Sequence, residues 1–273
     1  MARRYTSTAM TPAPTRSALP PLVALLAGLA VLFVALPLVG LAARAPWLQA
    51  GAIVTSAAAL AALRVSLVVS IAAIVGVVAL GFPLAWVLAR HAFPGRAVVR
   101  ALVVLPLVLP PVVGGVGLLA ALGRRGVVGS WLAQVGIELP FTSAAAVLAA
   151  LFVSLPLFVL TAEAGLRTID PRFEMAAMAL GATRGYAFRR VVLPQIRPQL
   201  VAGLALAWAR ALGEFGATIT FAGNMQGRTQ TLPLAVFEIL QTDPDAAIMV
   251  SLLLVGLSVA VLVLLRGRLV AAA

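Results

Sequence analysis

The chain of 273 residues contains no lysine and no cysteine, and its only histidine is His91. Without lysine there is neither a Walker A phosphate loop nor a Schiff-base amine. Without cysteine there is no disulfide or iron–sulfur cluster, and one histidine is too few for the usual zinc sites. A membrane-embedded enzyme would need a nucleophile with its base or a metal cluster, and this composition disfavours both.

Charged residues are also scarce. Only 10% of the residues are charged, whereas 63% are hydrophobic and the mean hydropathy is +1.11. A soluble domain keeps roughly 25% charged residues to hold its surface in water. The composition therefore predicts an all-α, polytopic protein of the cell membrane, with lipid as the solvent for its apolar surface.

Six stretches are apolar and long enough to cross a membrane as helices. A helix that rises about 1.5 Å per residue needs roughly 20 apolar residues to cross a hydrocarbon core of about 30 Å. The predicted spans are 20–42, 65–89, 98–122, 143–165, 200–222 and 246–265. The apolar core of the first span is longer than that of a cleaved secretory signal, so we expect this span to be retained.

All 20 basic residues are arginines, and they are unevenly distributed between the loops. Fourteen of them lie on one side if the tails 1–19 and 266–273, the loops 90–97 and 166–199, and Arg100 at the start of the third span share that side. The positive-inside rule then makes both termini cytoplasmic. Because the arginines are spread over short loops beside membrane helices, topology explains the net charge of +12 better than nucleic-acid binding.

Three prolines, Pro106, Pro110 and Pro111, interrupt the third span and are followed by three closely spaced glycines. Such a segment is either a broken helix that lines a pathway or a kinked helix packed through small residues. The sequence leaves both possibilities open.

The longest predicted cytoplasmic loop carries the signals of short helices outside the bilayer. Asp170 is a good N-cap, Pro171 suits the first helical position, and Gly181 can adopt the left-handed conformation that ends a helix. Thr183 is suited to cap a second helix, which we expect to end before Leu193. The first helix either seats in a groove of a partner protein or packs beneath the membrane bundle.

Within this loop, eight residues form a spaced pattern. They are Glu174, Met175, Ala176, Ala177, Gly181, Val191, Leu193 and Pro194. The pattern resembles the cytoplasmic motif of ABC-importer permease subunits, which reads Glu-Ala-Ala, three residues, Gly, nine residues, Ile, one residue, Leu-Pro. In this register Met175 stands at the glutamate position and Glu174 comes one residue early. The resemblance implies that these residues couple the chain to a cytoplasmic ATPase.

The fifth span contains two opposite charges four residues apart, Arg210 and Glu214. An isolated charge inside a bilayer is costly, so the two side chains should pair. The pair either takes part in transport or pins helices together. Thr218, Thr220 and Asn224 follow and offer donors for a weakly held anion, since tight binding would block release. Threonine can equally satisfy its own helix backbone.

The segment Gly213-Glu214-Phe215-Gly216, with Thr229-Gln230-Thr231 after it, resembles the molybdate branch of the oxyanion importer permeases. Sulfate and tungstate permeases share related forms of it. The resemblance covers about 60–265, which is all but the first span and the tails, and implies that the chain is a six-helix permease subunit. We expect it to form a homodimer, because one bundle of six spans leaves little room for a gated pathway. The resemblance also implies two cytoplasmic ABC ATPase subunits and an extracytoplasmic solute-binding protein as partners. This chain would carry no cofactor, because ATP and magnesium belong to the ATPase.

An ion-coupled secondary transporter is the main alternative from another class. It would need carboxylates inside the membrane for the coupling ion, and Glu214 is the only clearly internal one. It would have no use for the cytoplasmic loop pattern. Dependence of transport on ATP separates the two functions.

Overall fold

The structure, a computed structural model, describes residues 20–270, with side chains as far as 265. The predicted tail 1–19 lies outside the described residues, and only a helical backbone to 270 is described of the tail 266–273. The described part of the chain is helical and has no β-strand, as the sequence predicts. Its main helices are α1 (Pro21–Arg44), α2 (Ala50–Val54), α3 (Ala57–Arg90), α4 (Arg96–Val108), α5 (Pro111–Leu122), α6 (Gly129–Gln134) and α7 (Ser143–Thr168).

The second half of the chain continues with shorter elements between two long ones. They are α8 (Pro171–Ala179), α9 (Arg184–Ala187), a π-helical turn (Phe188–Val192), α10 (Leu193–Leu212), α11 (Gly216–Phe221), α12 (Leu232–Ile239) and α13 (Pro244–Val270). Five described helices are long and apolar enough to cross a membrane: α1, α3, α7, the continuous helix Arg184–Leu212 and α13. By contact the chain divides into Met1–Ala43 and a larger unit, Arg44–Ala273, which contains every site described below.

The core of the larger unit lies between α3, α7 and α10. Small side chains let these helices approach closely, and Ala85, Ala162 and Ala207 are all buried at their contacts. A Cβ atom at Gly81 of α3 would lie only 2.9 Å from the ring of Phe158 on α7. Close packing through alanine and glycine therefore stabilises the bundle.

The predicted third span, 98–122, is not one helix but two. Helix α4 ends at Val108, Leu109 and Pro110 adopt extended backbone conformations, and α5 starts at Pro111. A residue that precedes a proline is pushed out of the helical region, and two consecutive prolines apply this restriction twice. The helix is therefore broken at Leu109–Pro110, whereas Pro106 is accommodated inside α4.

The prediction of one continuous helix over 200–222 is wrong. Helix α10 ends at Leu212, three residues break the helix, and α11 starts at Gly216. The backbone of Phe215 is non-helical, with φ −128° and ψ −56°. Hydropathy does not detect this interruption because the residues around it remain apolar.

The loop 166–199 begins as predicted. The Asp170 carboxylate accepts a hydrogen bond of 2.9 Å from the backbone N–H of Arg172, and Pro171 is the first residue of α8. Gly181 has φ +91°, the left-handed conformation that ends the helix. The hydroxyl of Thr183 accepts from the backbone N–H of Tyr186 and caps α9.

The second loop helix does not end before Leu193, contrary to the prediction. It passes through the π-helical turn directly into α10, so Arg184–Leu212 is continuous. Pro194 has no backbone N–H and its ring would crowd the carbonyl group one turn earlier. The wider π turn, with its i to i+5 hydrogen bonds, accommodates the proline where a regular α-helix would break.

Candidate functional site

The surface of α8 and the turn that follows it is apolar and exposed. Phe173 and Met175 are more than half exposed, and Leu180, beside Gly181, is 89% exposed. Tyr186 of α9 is also exposed. An apolar surface of this size, presented by one short helix and one turn, is typical of a protein-binding site.

Glu174 does not belong to that exposed surface. Its carboxylate lies 3.3 Å from the guanidinium of Arg90 at the end of α3, and both side chains are largely buried. The Arg90 guanidinium also lies 5.6 Å from the ring centre of Trp86. The structure therefore explains the shifted register of the loop pattern: Glu174 anchors α8 to α3, and Met175 takes the exposed position beside it.

The remaining residues of the loop pattern occupy different environments. Ala176 is exposed and Ala177 half-buried on α8, Gly181 forms the turn, and Pro194 is exposed at the start of α10. Val191 in the π turn and Leu193 are both half-buried. The pattern thus follows one continuous path from the tip of the loop to the base of α10.

A second carboxylate, Glu163 near the end of its predicted span, has ion-pair partners that were not predicted from the sequence. Glu163 of α7 is buried, and its carboxylate pairs with Arg100 of α4 and, at 2.8 Å, with Arg167 one turn later. The spacing of four residues could have revealed the pair with Arg167. The pair with Arg100 depends on tertiary packing across 63 residues of sequence.

The predicted pair in the fifth span is present. A guanidinium nitrogen of Arg210 lies 2.7 Å from a carboxylate oxygen of Glu214, whose side chain is 2% exposed. The other carboxylate oxygen accepts a 2.7 Å hydrogen bond from the backbone N–H of Ala217. Because Arg210 belongs to α10 and Ala217 to α11, Glu214 bridges the interruption between the two helices.

The two helix interruptions of the bundle meet at this point. A Cβ atom at Gly216, the first residue of α11, would lie 2.6 Å from Cβ of Pro111, the first residue of α5. One turn further, a Cβ atom at Gly115 would lie 2.8 Å from the carbonyl oxygen of Ala217. The half-helices α5 and α11 therefore start side by side, in contact through glycine. Broken helices with adjoining ends are the usual framework of a substrate site in membrane transporters.

The three polar residues predicted for a pathway are held within the chain. Thr218 is buried in α11, and the hydroxyl of Thr220 donates to the carbonyl oxygen of Gly216 at 2.9 Å. The side-chain amide of Asn224 donates to the carboxylate of Glu238 at 2.7 Å. Thr220 thus satisfies its own helix, as the sequence analysis allowed.

Glu238 of α12 is a further polar residue near these positions that the sequence analysis missed. Its carboxylate also accepts a 2.6 Å hydrogen bond from the side-chain amide of Gln230. The segment Thr229-Gln230-Thr231 was recognised as a motif, but its partner was not. The scarcity of acidic residues, eight in the whole chain, is the signal that could have pointed to Glu238.

Comparison with known proteins agrees with this architecture. The family of binding-protein-dependent transport system inner membrane components matches residues 81–272. The molybdenum transport system permease protein ModB of Mycobacterium tuberculosis is 49% identical over 227 residues, 82% of this chain and 85% of its own length. The sulfate transport system permease protein CysT of Escherichia coli is 39% identical over 199 residues, 73% of this chain and 72% of its own length.

The fold also occurs among solved structures. A chain of a bacterial alginate ABC transporter, solved in complex with its alginate-bound periplasmic protein, superposes with a TM-score of 0.70 at 17% identity. The superposition covers 90% of this chain and 92% of that one. The family match and the relatives agree with the apolar helices of the fold: this chain is a multi-pass membrane protein of the binding-protein-dependent transport system inner membrane component family, the permease subunits of ABC importers.

Proposed function

We propose that the cargo of this permease is molybdate, carried into the cell by an ATP-driven importer. The observation that carries the proposal is the 49% identity to a molybdenum permease over 82% of the chain. The meeting of α5 and α11 supports an anionic cargo, because the first turn of a helix such as α5 carries partial positive charge. Weak contacts between the anion and the end of the helix let the anion leave the site again, whereas tight binding would block its passage.

The functional unit is a homodimer of this chain with two cytoplasmic ABC ATPase subunits and an extracytoplasmic solute-binding protein. Each bundle presents one set of broken helices, and two related bundles can enclose a gated pathway between them. The tails 1–19 and 266–273 and both termini lie on the cytoplasmic side, in agreement with the arginine distribution. ATP and magnesium bind to the ATPase subunits, and lipid surrounds the bundle.

The exposed apolar surface of α8 and the turn at Gly181 dock onto the ATPase. Two physical connections carry movement from there into the membrane. The Glu174–Arg90 pair joins α8 to α3, and the continuous helix Arg184–Leu212, roughly 43 Å long, joins the loop to the Arg210–Glu214 pair. ATP binding favours the conformation in which the ATPase subunits are closed, and the two connections shift the pathway with it.

Sulfate is the second candidate cargo, favoured by the 39% identity to a sulfate permease. Tungstate is a closer mimic of molybdate in size and charge, and the loop pattern does not separate the three ions. Selectivity therefore has to be measured with the solute-binding protein present.

Uptake into vesicles that contain this chain, its ATPase and its binding protein tests the proposal. Labelled molybdate should accumulate only with ATP, should be displaced by tungstate, and should resist an equal concentration of sulfate. If an equal concentration of sulfate abolishes the uptake of molybdate, the chain is assigned to the sulfate permeases instead. Uptake without ATP contradicts the importer mechanism itself.

Gly181→Val should uncouple ATP hydrolysis from uptake. At φ +91° a β-branched residue is strained, and its side chain would protrude from the proposed docking surface into open space. We expect ATPase activity in reconstituted vesicles to persist while molybdate uptake falls to the level without ATP. Gly185→Ala in α9, where a Cβ atom meets nothing within 4 Å, serves as the control. Normal ATP-coupled uptake by the Gly181→Val variant would mean that Gly181 is not part of the docking surface.

Met175→Glu should leave ATPase association unchanged. Met175 stands at the glutamate position of the permease motif that the loop resembles, so the docking partner should accept a carboxylate there, and the neighbouring Glu174 remains paired with Arg90. Co-purification of the ATPase with this variant and with the unaltered chain measures the effect. Weaker co-purification would mean that the methionine makes an apolar contact that glutamate cannot replace.

A further inference from the structure

A cavity of the described chain lies between the end of α3 and the helices α8 and α9 of the loop 166–199. Its volume is about 620 Å³, within the range of pockets that take small molecules. It is distinct from the exposed docking surface, since it is lined by Glu174 and Met178 of α8 and not by Leu180 or Gly181.

The inner wall of this cavity is aromatic. The rings of Trp86 and Phe188 meet edge to face with centres 5.3 Å apart, and Phe82 lies 5.9 Å from Phe188. Trp86 and Phe82 come from the last turns of a helix that crosses the membrane, and Phe188 from the π-helical turn. The wall is therefore apolar, rigid and continuous with the membrane-spanning part of the chain.

The rim of the cavity is cationic. It carries Arg90, His91 and Arg184 against one carboxylate, that of Glu174. Arg90 is paired with that carboxylate, but its buried Nε atom has no hydrogen-bond partner among the described residues. Arg184 is exposed and makes no ion pair with any described residue. The rim thus keeps one uncompensated positive charge and unused donors.

The cavity lies at the level where the apolar part of α3 ends. No charged residue occurs between Arg64 and Arg90. As a helix this stretch is about 38 Å long, which is enough to cross the hydrocarbon core with the helix somewhat tilted. Tryptophan one turn inside such an end, with arginine just beyond it, is the arrangement found at lipid headgroups. A ligand that fits both the cationic rim and the aromatic wall of the cavity combines an anionic phosphate with an apolar chain.

We propose that this cavity binds one anionic phospholipid of the cytoplasmic leaflet. The guanidinium groups of Arg184 and Arg90 bind the headgroup phosphate, and an acyl chain packs against Phe82, Trp86 and Phe188. Basic pockets between membrane helices on the cytoplasmic side recognise anionic lipids by this combination of charge and apolar wall. Since Glu174 and Met178 of α8 form part of the cavity, the lipid would stabilise the packing of α8 against α3.

Native mass spectrometry of the full-length chain, purified in detergent with added phosphatidylglycerol or phosphatidylcholine, tests the proposal. We expect selective retention of phosphatidylglycerol, and Arg184→Gln should lower it about fivefold, the effect of one cationic side chain at an anionic membrane surface. Arg184 is exposed and unpaired, so this variant should fold normally. Arg189→Gln, an equal loss of charge at an exposed position outside the cavity, should retain the lipid.

Three results would overturn the proposal. Equal retention of phosphatidylglycerol and phosphatidylcholine would show that the rim does not select an anionic headgroup. Equal losses in Arg184→Gln and Arg189→Gln would assign the effect to general surface charge. Displacement of the lipid by millimolar inorganic phosphate would identify a site for soluble anions instead of a lipid site.

Discussion

Arg210→Ala should destabilise the chain by about 3–5 kcal/mol, the cost of leaving one member of a buried ion pair without its partner. Glu214 would remain as a charge that is 2% exposed, beside the interruption between α10 and α11. We expect molybdate uptake to fall to the level without ATP. Denaturant unfolding of the purified chain in detergent measures the stability, and vesicle uptake measures the function.

The double variant Arg210→Met with Glu214→Gln should be less damaging than Arg210→Ala alone, because it removes both charges together. Glutamine keeps an oxygen that can accept the hydrogen bond from Ala217, so the start of α11 stays capped. Additive losses in the double variant would mean that the two residues act independently. Arg124→Ala is the control, since it breaks the exposed Arg124–Glu138 pair and should cost at most about 1 kcal/mol.

Gly115→Ala should abolish uptake although it adds only one methyl group. The new Cβ atom would lie 2.8 Å from the carbonyl oxygen of Ala217 and 2.9 Å from its Cα atom, and backbone atoms cannot move aside as a side chain can. Overpacking of this kind costs about 1–3 kcal/mol and would separate α5 from α11. Vesicle uptake and unfolding of the purified chain measure the two effects.

Gly117→Ala supplies the matched control. It lies two residues later in the same half-helix, and a Cβ atom there meets nothing within 4 Å. Alanine also favours a helix over glycine, so this variant should be as stable as the unaltered chain or slightly more stable. Equal uptake by Gly115→Ala and Gly117→Ala would contradict the close contact between α5 and α11.

Local signals in the sequence predict the parts of the site that local physics decides. Asp170, Pro171 and Gly181 mark the boundaries of α8 because capping, a fixed φ and a left-handed turn act within a few residues. The Arg210–Glu214 pair is predictable for the same reason, since four residues separate its members. The all-α membrane fold follows from composition and from the length of the apolar stretches.

Contacts between distant segments could not be predicted in this way. The partners Arg90 and Glu174 are 84 residues apart, and Arg100 and Glu163 are 63 apart. Only the packing of α8 against α3 and of α4 against α7 brings these charges together, and a single sequence contains no measure of that packing. The interruption after Leu212 was missed because Glu214 replaces lost helix contacts through its own carboxylate, which no hydropathy pattern records.

The division of α5 from α4 has a consequence for how the chain enters its membrane during synthesis. With 12 residues, α5 is about 18 Å long and cannot cross the hydrocarbon core alone. Its glycine face packs against Phe152 of α7 at Gly114 and against α11 at Gly115, and α11 emerges from the ribosome about 100 residues later. The packing of the nascent third span is therefore incomplete until the fifth span has been synthesised.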